Sequence, residues 1–139
     1  MLATGDDGGA VKLWDLRKQG VVRSYEGNQG DFISDLCFVE GENTLLATSG
    51  DGSLAVYDVR HNKPHAVSEQ LDDELLSIAV VKNNSKVICG SQDGILNIYS
   101  WGQWDDISDR FPGHPSSVDA LVPIDDQLLI TGSSDGLIR

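Results

Sequence analysis

The chain has 139 residues, enough for one ordinary globular domain, and its 40% hydrophobic content excludes a disordered chain. Its 22 acidic residues against 10 basic ones leave a formal charge of −12, a field that repels phosphate and argues against direct binding of DNA or RNA by this segment while favouring basic protein partners. No apolar run approaches the roughly 20 residues of a membrane-spanning helix, and the opening MLATGDDGG has neither a basic region nor a long apolar core, so no signal peptide is expected there.

In chain order, short apolar runs alternate with turn residues. Leu2–Thr4 and Ala10–Leu16 flank a turn at Asp7-Gly8-Gly9, with Val11 and Leu13 on one face and Lys12 on the other. Val21–Tyr25 leads into a polar loop at 27–31. Ile33–Val39, a Gly41-Glu42-Asn43 turn, Thr44–Ser49 and Leu54–Val59 then complete a four-strand unit. A second unit begins near His65–Glu69 and continues through Leu75–Val81, a turn at Asn83-Asn84, Lys86–Gly90 and Ile95–Trp101. The last runs through Ile107–Phe111, Val118–Ile124 and Leu128–Gly132 to Leu137-Ile138-Arg139. No stretch has a convincing helical period.

The turns set the period. Asp51-Gly52, Asp93-Gly94 and Asp135-Gly136 fall 42 residues apart, each between apolar runs, and Trp14-Asp15 precedes Tyr57-Asp58 by 43. An Asp-Gly pair so placed marks a hairpin, because glycine accepts the positive φ that a tight turn demands. Four short strands every 42–43 residues is the pattern of a β-propeller blade. The repeats divide as a tail at 1–17, full repeats at 18–60 and 61–101, and an incomplete repeat at 102–139.

Leu13-Trp14-Asp15, Gly113-His114 and the run SSDGLIR at 133–139 resemble the WD-repeat family. The implied fold is all-β: a partial WD-repeat β-propeller of about three and a third repeats of four antiparallel strands, expected to be a fragment of a larger propeller. ATGDD…GAVKLWDLR, SGDGSLAVYDVR, SDRFPGHPSSVDALVP and TGSSDGLIR together resemble one subfamily of it, implicated in ribosome biogenesis and, in plants, in ubiquitin-ligase assembly. That resemblance implies a non-enzymatic protein-interaction scaffold working on pre-ribosomal RNA in the nucleus or nucleolus, with pre-ribosomal factors as partners. A cytoplasmic pool is compatible with it; a membrane is not part of it. The rival class is a propeller that hydrolyses substrates around a central metal.

The repeats depart from the family pattern. Tyr57-Asp58 and Tyr99-Ser100 stand where Trp-Asp is expected, and the loop before Ile33 has Gly27-Asn28-Gln29 in place of Gly-His. WD repeats often lock a blade through a hydrogen-bond chain linking loop His, turn Asp, strand Ser/Thr and Trp. The resemblance therefore makes His114, Asp135 and either Thr131 or Ser133 the start of such a chain, and makes Asp51, Gly52, Asp93, Gly94, Asp135 and Gly136 structural turn residues. It also implies a docking edge. Trp14-Asp15-Leu16-Arg17 fits the W-D-x-R ending by which many WD-repeat proteins dock on the damaged-DNA-binding adaptor of cullin-4 ubiquitin ligases, and Tyr57-Asp58-Val59-Arg60 is a weaker copy. An arginine just past a strand end presents a planar fork to acceptors on a partner.

Other chemistry finds little support, and neither a cofactor nor a metal is expected. His61 and His65 lie on a turn with Asn62 and Pro64 and lack a third zinc ligand. Each Asp-Gly turn supplies one carboxylate where calcium loops alternate several. Ser116-Ser117 near His114 and Asp119 lacks a nucleophile elbow, and GDDGG at 5–9 is not followed by the Lys-Ser/Thr of a phosphate loop. Cys37 and Cys89 lie in strand-like runs and read as small buried hydrophobes of a reducing compartment, not as a disulfide.

Overall fold

The computed structural model describes residues 1–139 as four antiparallel sheets in series. The first contains β1 (Leu2–Gly5), β2 (Val11–Asp15) and β3 (Gly20–Tyr25). The second contains β4 (Ile33–Val39), β5 (Thr44–Ser49), β6 (Leu54–Asp58) and β7 (Ala66–Val67). In the third are β8 (Leu75–Val81), β9 (Lys86–Ser91), β10 (Ile95–Ser100) and β11 (Asp109–Pro112), and in the fourth β12 (Val118–Pro123) and β13 (Leu129–Ser133). Each sheet is a meander of neighbouring strands. The predicted turn at 41–43 is a short 3-10 turn, Glu40–Glu42, closed by Asn43 in the left-handed region at φ 50°.

The sheets are offset by one strand from the grouping read in the sequence. Val21–Tyr25 does not join the strands that follow it; β3 pairs with β2, Val11 opposite Tyr25. Likewise β7 pairs with β6 and β11 with β10. A short turn, residues 16–19, lets β3 fold straight back on β2, whereas the longer loop at 26–32 carries the chain across to the next sheet. The last strand of each meander is therefore the first strand of the sequence unit that follows. His65–Glu69 shortens to Ala66–Val67: Pro64 offers no N–H, and the Glu69 N–H leaves the sheet for the Asp105 carbonyl at 3.0 Å.

Burial follows the strand period. Leu45, Leu46, Ala47, Leu54, Ala55, Val56 and Tyr57 are all buried, because β5 and β6 are covered on both faces by neighbouring sheets. One apolar cluster joins the first sheet to the second around Val11, Leu13, Tyr25, Leu45 and Tyr57, where Tyr25 and Tyr57 stack at 4.2 Å between ring centroids. A larger one joins the second to the third around Leu46, Val56, Leu75, Cys89, Tyr99 and Trp104. Side chains of this size stabilise the fold by about 1.5–3 kcal/mol each when fully buried. Hydrogen bonds stitch the leading strands together: the Ser34 hydroxyl donates to the Leu75 carbonyl at 2.5 Å, Ser77 to that of Val118 at 2.9 Å, and the Ile78 N–H to the Asp35 carboxylate at 3.0 Å.

Glycine is compulsory at the sheet-to-sheet seams. Gly9, Gly52 and Gly94 hold φ of 88°, 87° and 85°. A Cβ on Gly52 would collide with the carbonyls of Leu71 and Asp73, on Gly9 with those of Gln29 and Asp31, and on Gly94 with those of His114 and Ser116. Gly102 has the same backbone, φ 88°, but open space around it. Gly102→Ala is thus expected to cost only the left-handed strain, about 1–2 kcal/mol. Gly52→Ala and Gly94→Ala should cost clearly more and shift the unfolding midpoint further. Equal midpoints for the three variants in chemical denaturation would refute the seam contact.

Candidate partner-docking site

The two W-D-x-R-type ends are built alike. Asp15 Oδ1 accepts the backbone N–H of Arg17 at 2.9 Å, and the Asp15 carbonyl accepts that of Lys18 at 3.1 Å. One repeat later Asp58 Oδ1 accepts the Arg60 N–H at 3.0 Å, and its carbonyl accepts the His61 N–H at 3.0 Å. Each aspartate caps the turn that ends its own strand. Trp14 takes no part in that edge. Its Nε1 donates to Thr4 Oγ1 at 2.9 Å, inside the first sheet.

The two arginines differ in freedom. Arg60 grips Asp58 with two close bonds, Nε at 2.9 Å and Nη2 at 2.7 Å. Its loop is clamped from the first sheet: Arg23 donates to the carbonyls of Val59 at 2.7 Å and Arg60 at 2.9 Å and also holds Asn62, while the Tyr25 hydroxyl donates to the His61 carbonyl at 2.7 Å. Arg17 reaches Asp15 only at 3.4 and 3.5 Å, and its side chain is 90% exposed. Of the two forks, that of Arg17 is free to engage another surface.

The turn aspartates sit in unequal surroundings. Asp51 is half-buried, which by itself raises a carboxyl pKa, yet bonds from Ser53 Oγ at 2.6 Å, Gly30 N–H at 2.7 Å, Ser53 N–H at 2.8 Å and Gln70 Nε2 at 3.2 Å bring it below the usual range. Asp93 has no such partners; its own N–H donates to Asp73 at 2.7 Å. Asp135 is taken by Arg139, Nη2 at 3.0 Å, and by the Leu137 N–H at 3.0 Å. His114 Nε2 lies 2.8 Å from Thr131 Oγ1, so Thr131 and not Ser133 is its partner, and Asp135 does not join them. Ser133 Oγ and His114 Nδ1 are buried without partners. Ser117 bonds Asp119 at 3.2 Å and Ser134 at 2.9 Å, Ser116 also bonds Ser134, and the His114 ring bonds Thr131 and neither of these serines.

The roles of two residues were not read from the sequence. Gln29, buried to 3% exposure, stands four residues before β4 as His114 stands four before β12, and its amide donates to the carbonyls of Ala47 at 3.1 Å and Ser53 at 3.2 Å. That spacing was the available signal. Arg23 gave none, since a lone arginine in a strand does not announce a clamp 36 residues away.

The model of the WD domain, G-beta repeat, matches residues 19–58 and 106–139. The chain belongs to the WD-repeat family. WD repeat-containing protein JIP5 of Cryptococcus neoformans is 47% identical over 142 residues, covering 100% of this chain and 38% of that protein. WD repeat-containing protein 55 of Arabidopsis thaliana is 46% identical over 138 residues, covering 99% and 39%, and its Rattus norvegicus counterpart 37% identical over 139, covering 100% and 36%. The WD-repeat chain thus spans less than two-fifths of these relatives' length. A chain in the crystal structure of the mitotic checkpoint complex superimposes with a TM-score of 0.81 over 94% of this chain and 41% of its own, at 21% identity, a likeness of fold alone.

The Asp–Arg turns make an electrostatic expectation. The Arg60 side chain and then its backbone N–H hold the Asp58 carboxyl far below the usual carboxylate range; for Asp15 the Arg17 backbone N–H comes first and the guanidinium second. With folded values depressed, any stability these groups contribute is present at neutral pH and lost as pH falls from the unfolded value of about 3.9 through the folded one. In a carboxyl-carbon NMR titration, Arg60→Ala should raise the Asp58 midpoint markedly, and Arg17→Ala should raise that of Asp15 less. An unmoved Asp58 midpoint would show that the ion pair does not form in solution.

Proposed function

We propose that this chain forms part of a non-enzymatic protein-interaction scaffold serving ribosome biogenesis, in the processing of pre-ribosomal RNA, in the nucleus or nucleolus. The observation that carries the reading is likeness over the whole chain, at 37–47% identity, to proteins named WD repeat-containing protein 55 and JIP5. The geometry agrees with it. Rigid sheets present turns and loops at their ends, and those loops combine backbone acceptors with carboxylates. The charge of −12 favours basic protein partners over direct contact with RNA. Depletion of the full-length protein should cause pre-ribosomal RNA precursors to accumulate, read by northern blot. Normal precursor ratios after depletion would remove the ribosomal assignment.

A second reading has its own observation, the exposed and loosely held fork of Arg17. In it the full-length protein is a substrate receptor that docks on a cullin-4 ligase adaptor through Asp15 and Arg17, with Asp58 and Arg60 as the adjoining turn. Arg17→Ala in the full-length protein should then weaken adaptor co-precipitation, with a loss of about 2 kcal/mol or more. Its unfolding free energy should stay within about 0.5 kcal/mol of the parent, as for an exposed surface change. Arg60→Ala should weaken docking less, its side chain already being committed to Asp58. Unchanged adaptor binding by Arg17→Ala would leave the ribosomal scaffold alone.

A further inference from the structure

The seam between the second and third sheets contains a cleft of about 240 Å³. Comparing the two sheets position by position shows how it arises. In the second sheet the Gly30 N–H, the turn residue Ser53 and the Gln70 amide donate to Asp51, and Gln29 fills the space behind them. The counterparts of Ser53, Gln70 and Gln29 in the third sheet are Ile95, Pro112 and Leu71, none of which carries a side-chain donor. Asp93 is left without a side-chain partner, and a second acid, Asp72 at the position of Gly30, lines the same cleft; the side chains of both make no hydrogen bond within the chain. Asp73 is occupied, accepting the N–H groups of Glu74 at 2.9 Å and Asp93 at 2.7 Å.

Asn97 is an independent anomaly in the same place. It lies on β10 opposite Cys89 on one side and Arg110 on the other. Its counterpart in the second sheet, opposite Ala47, is Ala55. Asn97 is 3% exposed as a residue and lines the cleft, and its amide, which opens on the cleft, makes no hydrogen bond to any other residue of the chain. An otherwise buried amide whose free positions face a cleft offers one acceptor and two donors to whatever enters it.

We propose that this cleft receives an arginine side chain of a protein partner, its guanidinium held by the Asp72 and Asp93 carboxylates with the Asn97 amide oxygen as a further acceptor. The inference rests on reading the chain as a protein-binding scaffold and names the chemistry one of its sites selects. Arginine fits better than lysine. Its planar fork has five donors in fixed directions and reaches several acceptors at once, whereas an ammonium acts as a point charge. Arg110 also lines the cleft and forms no ion pair. It opposes a cationic guest and so tempers the affinity.

The test is a proton–nitrogen NMR titration of the full-length protein with the capped tripeptide acetyl-Gly-Arg-Gly-amide, following the Asn97 side-chain amide and the Asp93 backbone N–H. The expected result is a saturable shift of both, weaker with the lysine tripeptide and absent with the glutamate one. Asp93→Asn and Asn97→Ala should each weaken binding about tenfold, the size of one charge-assisted hydrogen bond, and Arg110→Gln should tighten it. Asn97→Ala is expected to fold, since the second sheet carries Ala55 at that position. No saturable shift, an equal response to the glutamate tripeptide, or full affinity in both weakened variants would each overturn the proposal. The titration reads the cleft directly, so it fails or succeeds independently of precursor accumulation and adaptor co-precipitation.

Discussion

Everything in this chain hangs on the close approach of a glycine in one sheet to the backbone of the loop that enters the next. Gly9, Gly52 and Gly94 each sit with positive φ against the carbonyls of two loop residues, and the contact repeats with the same spacing at three seams. Short meanders cannot bury both of their faces alone. The seam contact fixes how far apart neighbouring sheets stand, and the apolar clusters around Tyr57 and Tyr99 fill the gap so defined. Hydrogen bonds then lock the loop: Leu71 N–H to the Gly52 carbonyl at 2.9 Å, and His114 N–H to that of Gly94 at 3.3 Å.

With that backbone device in place, the side chains around it are free to diverge. The first sheet keeps a Trp14–Thr4 bond and the fourth a His114–Thr131 bond. In the second, Gln29 reaches backbone carbonyls, and Tyr57 is buried with its hydroxyl unpartnered, burial pushing that phenol up to about 12. In the third, Leu71, Cys89 and Tyr99 have joined the apolar core. The polar chain that locks a WD blade has thus been replaced by packing at the middle of the molecule. Where packing carries the seam, the turn aspartate is released from structural duty, and Asp93 is the residue so released. That is the physical link between the decay of the motif and the cleft at Asn97.

The strands, the turns and the repeat period were legible because they rest on local rules. Alternation of Val11, Lys12 and Leu13 announces a strand, and Asp51-Gly52 announces a turn, without knowledge of anything distant. Strand grouping was not legible in the same way. Adjacency in sequence assigns Val21–Tyr25 forward, whereas the short turn at 16–19 returns it to the sheet behind. The candidate site divided on the same line. Asp15 and Arg17 were readable as a strand-end pair, but the tighter hold on Arg60 depends on Arg23 and Tyr25 reaching across from another sheet. His114 was readable as structural, while its choice of Thr131 over Ser133 depends on which face of β13 each residue takes. Asn97 was invisible, since an asparagine in a strand is unremarkable until its burial and its empty hydrogen-bond positions are known.

The central claim, that loop-to-turn seams and not the sheets singly hold the molecule together, is tested most directly by native-state hydrogen exchange. The N–H groups of Ile33, Leu71 and His114 lie where loops enter a sheet, yet bond to the carbonyls of Asp6, Gly52 and Gly94 in the turns of the sheet before. If the seams carry the structure, these three should exchange as slowly as the β5 amides of Leu45–Thr48, opening only in the global unfolding event. Exchange of the three as fast as the exposed turn at Asn83-Asn84, with β5 still protected, would show that the sheets stand without the seams and would contradict the claim.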